Sequence, residues 1–266
     1  MGKTIVNQPT PSQVSGRLAT WHRVMEEAGL EYEDLQVPID YPNFRTSLVD
    51  FWRRRSAVVA VSPTVVPAVV PTIVRSVDEL VAEWSDFYRE IGVEVDFAGL
   101  RVPEHRDGFD RLIVVAKGMT PERVYQKCLE HFRCWKYTGD QSLDEFVFDF
   151  GGVEKKYRRS DHETHAVWVR DRDEADQELK RRSANDLAAA KIFGITLEAR
   201  ELYELKYFRE TGKHLDRKNI TLCTGSRHVH GDVPGVYWNG NSDEMHVRWY
   251  NPDNASGHLR SREQVS

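Results

Sequence analysis

The first pattern along the chain is a helix-type spacing of apolar positions near its N-terminus. One helix face is formed by residues that recur at intervals of four and three: Val14, Leu18, Trp21, Met25 and Ala28. A second, shorter helix is predicted over residues 42–54, where apolar side chains again recur at helical spacing. Residues 1–56 are therefore predicted to form a helical N-terminal segment.

The next pattern is an uncharged run, AVVAVSPTVVPAVVPTIV, that is nearly as long as a membrane helix. It spans residues 57–74, and prolines recur in it at Pro63, Pro67 and Pro71. Each proline removes a helix hydrogen bond and clashes with the preceding turn, so a bilayer-spanning helix is not expected. We interpret residues 57–75 as an extended connection and residues 76–266 as the main domain.

The main domain contains three well-marked helix starts. Ser76 and Glu79 have the spacing of a capping box ahead of a strong apolar face. Thr120 precedes a first-turn proline, and Thr196 precedes LEARELYELKYFRETG, whose inner face is expected to carry leucines and a phenylalanine. Two further helical pieces are expected within residues 171–194. These patterns predict several amphipathic helices.

Strand-type patterns alternate with these helices. They are short runs at 93–97, 111–116, 145–150, 166–169 and 219–223, followed by a hairpin formed by 236–238 and 245–250. Alternation in the second hairpin strand separates two sets of side chains: Met245, Val247 and Trp249 on one face, and His246, Arg248 and Tyr250 on the other. Strands and helices interleave without a regular βαβ repeat, which favours an α+β fold with a mixed or antiparallel sheet.

Composition indicates the cellular compartment and the classes of partner to expect. The chain has 266 residues, a net charge of −5 and three cysteines without a CxxC pair. Such a sparse cysteine set is typical of reduced thiols, and the N-terminus lacks the apolar stretch of a signal peptide. We therefore expect a soluble, cytoplasmic protein with no membrane partner. The negative net charge does not indicate a nucleic-acid-binding protein. The sequence also contains no nucleotide-binding motif and no nucleophile-elbow motif.

Candidate metal ligands occur in the run HVHGD. His228, His230 and Asp232 have the types and spacing of part of a zinc site, in which imidazoles and a carboxylate hold a metal that activates water. His162 and His165 could complete such a site. Asp232 is followed by valine rather than by a further histidine, and glycines punctuate the run. A polar turn without a cofactor is the favoured interpretation. The alternative is a metal-dependent hydrolase that uses zinc or another divalent cation.

A second alternative is a nucleic-acid-binding protein. The run KKYRR carries a candidate phosphate-binding patch, formed by Lys155, Lys156, Arg158 and Arg159. The surrounding residues 154–182 contain nine basic and eight acidic side chains, which nearly cancel. Nucleic acid is therefore a less favoured partner.

The C-terminal hairpin gives the favoured function. Tyr237, Trp238, Arg248 and Tyr250 could form an aromatic platform for a protein or peptide, although tryptophans in apolar strands are more often core residues. The leading hypothesis is a non-catalytic binding or interaction protein that uses this hairpin and the neighbouring polar loops. Enzyme and non-enzyme both remain open at this point.

Several long runs carry a resemblance to a bacterial family. They are RLIVVAKGMTPERVY, AVWVRDRDEADQELK, GITLEARELYELKYFRETGKHLDRKNITLCTGSR and GDVPGVYW. Together they resemble a family of hypothetical proteins from candidate-phylum bacteria with small genomes, over residues 76–266. The resemblance implies a bacterial, cytoplasmic setting and brings no activity or binding residues with it.

Overall fold

The main domain forms the predicted α+β fold. The computed structural model describes residues 75–151 and 157–266. The predicted N-terminal helical segment and the Val/Pro-rich connection lie outside these residues, except for Arg75, and so do Lys155 and Lys156. In the described part of the chain, five helices and ten strands follow one another in irregular order, and the strands form mixed and antiparallel sheets.

The elements follow one another along the chain without a repeating unit. In order they are α1 (Val77–Glu90), β1 (Arg111–Val115), α2 (Pro121–Leu129), β2 (Cys134–Lys136), β3 (Val147–Asp149), α3 (Arg159–His162), β4 (His165–Val169), α4 (Ala184–Ala189), α5 (Leu197–Thr211), β5 (Ile220–Leu222), β6 (Ser226–His228), β7 (Val233–Asn239), β8 (Glu244–Tyr250), β9 (Leu259–Ser261) and β10 (Gln264–Val265). Two single 3₁₀ turns occur at Leu143–Glu145 and Gln177–Leu179.

The three predicted helix starts are confirmed, and each has a local cause. Ser76 and Glu79 form a reciprocal capping box at the start of α1. Thr120 caps α2 ahead of its first-turn proline, and Thr196 caps α5. Helix α5 ends at Gly212, whose φ of 67° is readily adopted only by glycine.

Three sheets organise the domain. The strand orders are β1-β4-β10 in a three-stranded sheet, β2-β8-β7-β5-β9 in a five-stranded sheet and β3-β6 in a two-stranded sheet. All neighbours run antiparallel except β2 with β8 and β5 with β9, which run parallel. The predicted hairpin is confirmed, because β7 and β8 pair in register from Val233 with Tyr250 to Asn239 with Glu244.

Helix α5 contacts both larger sheets, touching β1 on one side and β7 on the other, and it also packs on α2. Every residue from Leu197 to Lys206 is consequently buried. A helix buried all round is normally apolar, but this one carries several charged side chains.

Some sequence-based boundaries were wrong. Residues 93–97 form no strand; Val93 instead closes the end of α1 through a hydrogen bond to the Tyr88 carbonyl, and its side chain enters the core. The predicted strand 145–150 is shortened to β3 because its start is a 3₁₀ turn. Of the two helical pieces within residues 171–194, one is a single 3₁₀ turn and the other is α4.

None of the helices within residues 75–151 and 157–266 is both long and apolar enough to cross a membrane.

Candidate functional site: an aromatic sheet face and its alternatives

The sheet formed by β2, β8 and β7 presents one face rich in aromatic side chains. The register pairs Tyr237 with His246, and His246 with Trp135, so these three side chains lie on the same side. Arg248 and Tyr250 follow at alternate positions of β8. We refer to the set as the aromatic face: Trp135, Tyr137, Tyr237, His246, Arg248 and Tyr250. Trp135 is 37% exposed and Tyr137 63% exposed, so the face is open to solvent at β2.

Trp238, which the sequence offered as a platform residue although tryptophans in such strands are more often in the core, does not belong to the aromatic face. It neighbours Tyr237 in β7, so its side chain points to the opposite side of the sheet, where it is 4% exposed. Its ring stacks on that of His214, with centroids 3.3 Å apart and planes inclined by 6°. Trp238 is therefore a core residue.

Arg248 lies among the rings of the aromatic face. Its guanidinium carbon is 5.5 Å from the centroid of the Trp135 ring, within the range of a cation–π interaction. The Tyr237 hydroxyl raises the pKa of Arg248, so the group stays charged. The hairpin carboxylate Glu244 pairs with His246 and Arg133 instead. Within the described residues, Arg248 thus has aromatic neighbours and no ion-pair partner.

The aromatic face is held in place by two local devices. His246 Nε2 donates to Glu244 at 2.9 Å, and its Nδ1 accepts from the Tyr237 hydroxyl at 3.3 Å. Tyr250 lies over Gly235, where an added Cβ would come within 2.5 Å of the tyrosine ring. Both tyrosines are therefore preorganised, which limits the entropy lost when a ligand binds.

The HVHGD run forms a tight connection between β6 and β7, which we call the histidine turn (residues 228–232). The His228 N–H donates to the Asp232 carbonyl, and the Gly231 N–H donates to the His228 carbonyl, each at 2.8 Å. His228 Nδ1 accepts from the His230 N–H at 3.1 Å, which leaves only Nε2 of this ring for a metal. Burial, with a smaller contribution from His230, lowers the pKa of His228.

The four candidate histidines do not converge. The rings of His228 and His230 are 5.1 Å apart, but His162 lies on α3 and stacks on Tyr157, while His165 lies on β4. Across the part of the chain that the structure describes, no three His, Cys, Asp or Glu side chains are grouped so as to hold a metal ion. The metal alternative therefore has one pair of histidines and no third ligand in these residues.

The arginines of the KKYRR run are engaged within the fold. Arg158 donates to Asp161 at 3.1 Å and to the Asp144 carbonyl at 2.7 Å. Arg159 donates to Glu163 at 2.5 Å. Side chains that are already paired offer little attraction to phosphate, so this part of the predicted basic patch is weakened.

Helix α5 carries a buried set of charges that sequence reasoning missed. The Arg200 guanidinium donates to Glu204 and Asp216, both at 2.9 Å, and Arg262 donates to the second Asp216 oxygen at 2.8 Å. Burial alone would raise the pKa of Asp216, but the two guanidiniums outweigh it and lower that pKa. This network joins α5 to the segment between β9 and β10.

Two carboxyls of α5 stand outside that network. Glu198 and Glu201 are fully buried, and none of their carboxyl oxygens has a hydrogen-bond partner among the described residues. Burial raises the pKa of both, to about 8 for Glu198, with Asp149 adding to the rise there. Unpaired buried carboxyls are rare in folded proteins, so they point to a role beyond packing.

Comparison of this chain with protein-family models, with curated proteins and with solved structures finds no significant match. The resemblance to a bacterial family stays a prediction.

Proposed function

We propose that this protein is a non-catalytic binding protein whose aromatic face takes an extended, acidic segment of a partner protein. One observation carries the proposal: Arg248 is a charged group on an exposed aromatic face, with no ion-pair partner in the described residues. A carboxylate of the partner would supply the missing counter-charge through a charge-assisted hydrogen bond.

The composition of the aromatic face suits protein recognition. Tyrosine, tryptophan and arginine are the residue types that most often dominate binding energy at protein interfaces. The strand β2 lies at the edge of the five-stranded sheet, beside Trp135 and Tyr137. An extended segment placed along this edge would bring its alternate side chains onto those two rings.

A peptide fits this face better than nucleic acid does. A nucleic-acid strand needs several cations that follow its phosphates. Arg133, which lies near the hairpin, pairs with Glu244, and Lys136 turns to the core to pair with Glu122 at 2.7 Å. Arg248 thus offers one charge, which suits a single carboxylate.

A reducing setting is part of the proposal. The cysteines Cys128, Cys134 and Cys223 are all free thiols, and two of them are buried. This state supports function in a compartment such as the bacterial cytoplasm, where thiols stay reduced.

The test is selection of binding peptides from a random displayed library on the full-length protein. We expect enrichment of peptides in which an acidic residue is flanked by apolar ones. Their affinities, measured by fluorescence polarisation, should fall at least about tenfold in Arg248→Ala and in Tyr137→Ala, the scale of interface hot spots. The matched control is Phe193→Ala, which removes another ring, 70% exposed, from outside the aromatic face.

Two outcomes would contradict the proposal. One is that the selected peptides bind the two variants as tightly as they bind the original protein. The other is that a dT oligonucleotide binds at this face with steep salt dependence, which would move the function to nucleic-acid binding.

A further inference from the structure

A second candidate site is a cavity of about 310 Å³. None of the residues of the aromatic face lines it. Its wall comes from the end of β3, from β4 and α4, and from the loop that leads into α5. Most of the wall is apolar, and it includes Phe150, Val167, Ala188 and Ile192. Its volume is at the lower end of the range of cavities that bind small molecules.

Part of the cavity wall is formed by two glycine-containing segments that pack closely against each other, at Gly194 and at Gly225. A Cβ on Gly194 would lie 1.9 Å from the Thr224 hydroxyl oxygen, and a Cβ on Gly225 would lie 2.4 Å from the Gly194 carbonyl oxygen. The Gly225 N–H donates to the Ile195 carbonyl at 3.0 Å. This close packing fixes the backbone on one side of the cavity, while side chains such as Phe150 and Ile192 form much of the remaining wall.

Two polar side chains of the wall have unused hydrogen-bonding atoms. Asp149 accepts from the Arg159 N–H through Oδ2 at 2.8 Å, but its Oδ1 has no partner among residues 75–151 and 157–266. His165, which is 3% exposed, has an Nδ1 without a partner in the same residues. Both residues line the cavity, and buried polar atoms without partners are costly, so a ligand that reached and satisfied either atom would bind with an advantage.

The charge on Asp149 follows from its neighbours. Burial raises the pKa of Asp149 to about 6, and the guanidinium of Arg158 and the Arg159 N–H limit the rise. Other groups that act on it are Asp161, Arg159 and the buried Glu198. Of the two neighbouring carboxyls, Asp149 has the lower pKa, about 6 against about 8 for Glu198, so Asp149 is the one that ionises first as pH rises.

We propose that this cavity binds a small, mainly apolar molecule that carries a cationic nitrogen group, and that the Asp149 carboxylate receives that group. The apolar wall accommodates the body of the molecule, and Asp149 provides an acceptor with a negative charge. Arg159 also lines the cavity and adds positive charge near Asp149, but its guanidinium pairs with Glu163, which offsets that charge for a ligand. Lys191 also lines the cavity, but this residue is exposed, so its ammonium can stay in water.

The experiment compares three molecules of nearly the same shape on the full-length protein: benzamidine, benzamide and benzoate. Binding at neutral pH is measured by ligand-observed NMR and by calorimetry. We expect affinity to fall in the order cation, neutral amide, anion. In Asp149→Asn the affinity for benzamidine should drop about tenfold or more, because a charge-assisted hydrogen bond is lost, while that for benzamide should change little.

A second pair of variants locates the binding independently of Asp149. Ala188→Trp places a large ring at the cavity wall, and Ala189→Trp places the same ring on the next residue of α4, which does not line the cavity. We expect the first to abolish benzamidine binding and the second to preserve it. The inference is overturned if benzoate binds best, if Ala188→Trp leaves benzamidine binding unchanged, or if none of the three molecules binds. None of these outcomes bears on the aromatic face.

Discussion

Replacing Glu198 with glutamine should make the protein more stable at neutral and alkaline pH. The side chain is fully buried, and neither carboxyl oxygen has a partner among the described residues. Burial and the nearby Asp149 raise the pKa of Glu198 from 4.5 to about 8. Glutamine has nearly the same shape and cannot ionise, so it removes the cost of charging this position.

The size of the effect follows from proton linkage. Below pH 4.5 the carboxyl is protonated in the folded and the unfolded chain alike. Between pH 4.5 and 8 the unfolded chain ionises while the folded chain keeps its proton, so the free energy of unfolding falls as pH rises. At about 1.4 kcal/mol per pH unit, the loss from this one group is about 3 kcal/mol at pH 7 and about 5 kcal/mol above pH 8. Any cost of burying the glutamine amide is the same at every pH.

The assay is urea unfolding followed by tryptophan fluorescence, repeated between about pH 5 and pH 9 for both proteins. We expect the free energies of unfolding to approach each other at the acid end and to diverge as pH rises, in favour of the variant. The matched control is Glu204→Gln on the same helix, which removes a partner of buried Arg200 at 2.9 Å and should destabilise by about 3 to 5 kcal/mol. A difference between Glu198→Gln and the original protein that stays constant across this pH range would refute the reasoning.

Two further outcomes follow from the same structure. Gly194→Ala should lower the free energy of unfolding by about 1 to 3 kcal/mol, because the new methyl group would overlap the Thr224 hydroxyl. Thermal unfolding measures this loss, and the control is Gly240→Ala, whose added methyl group would have no atom within 4 Å. In elemental mass spectrometry of untagged protein we expect less than one metal ion per chain, and we expect no change when His228 and His230 are both replaced by alanine. Near-stoichiometric zinc or manganese that disappears in that double variant would restore the hydrolase hypothesis.

The helices could be predicted from sequence because their signals are local. Ser76, Thr120 and Thr196 each cap a helix through a hydrogen bond that spans three residues, which a short stretch of sequence contains in full. Strands depend on distant partners. Residues 93–97 alternate like a strand but have no pairing partner in the described part of the chain, whereas the three-residue β2 shows no periodicity and yet pairs with β8.

The aromatic face could be predicted only in part for the same reason. Alternation within β8 correctly places Arg248 and Tyr250 together, and the pairing of β7 adds Tyr237. Trp238 was a candidate both for the platform and for the core, and its position next to Tyr237 in β7 places it on the buried side. Trp135 and Tyr137 come from a distant part of the chain, and no local pattern signals that they join the hairpin.

The buried charges of α5 could not be predicted at all. LEARELYELKYFRETG has the mixture of leucines and charges that is typical of a helix with one face in water. The packing of α5 against β1 and β7, and the pairing of Arg200 with Asp216, arise from elements far apart in sequence. Only the assembled fold determines which of these charges has a partner.

The closing strands give the domain a particular order of assembly during synthesis. Strand β10 pairs with β4, and β9 pairs with β5, so residues 259–265 contribute to two sheets at once. Between them, Arg262 brings one of the two guanidiniums that pair with Asp216, which lies 46 residues earlier. Until residues 259–265 have emerged from the ribosome, Asp216 therefore has half of its counter-charge and two sheet edges are unfinished. Such intermediates are prone to aggregate. The domain is therefore protected from aggregation with other nascent chains only after β9 and β10 have paired with β5 and β4.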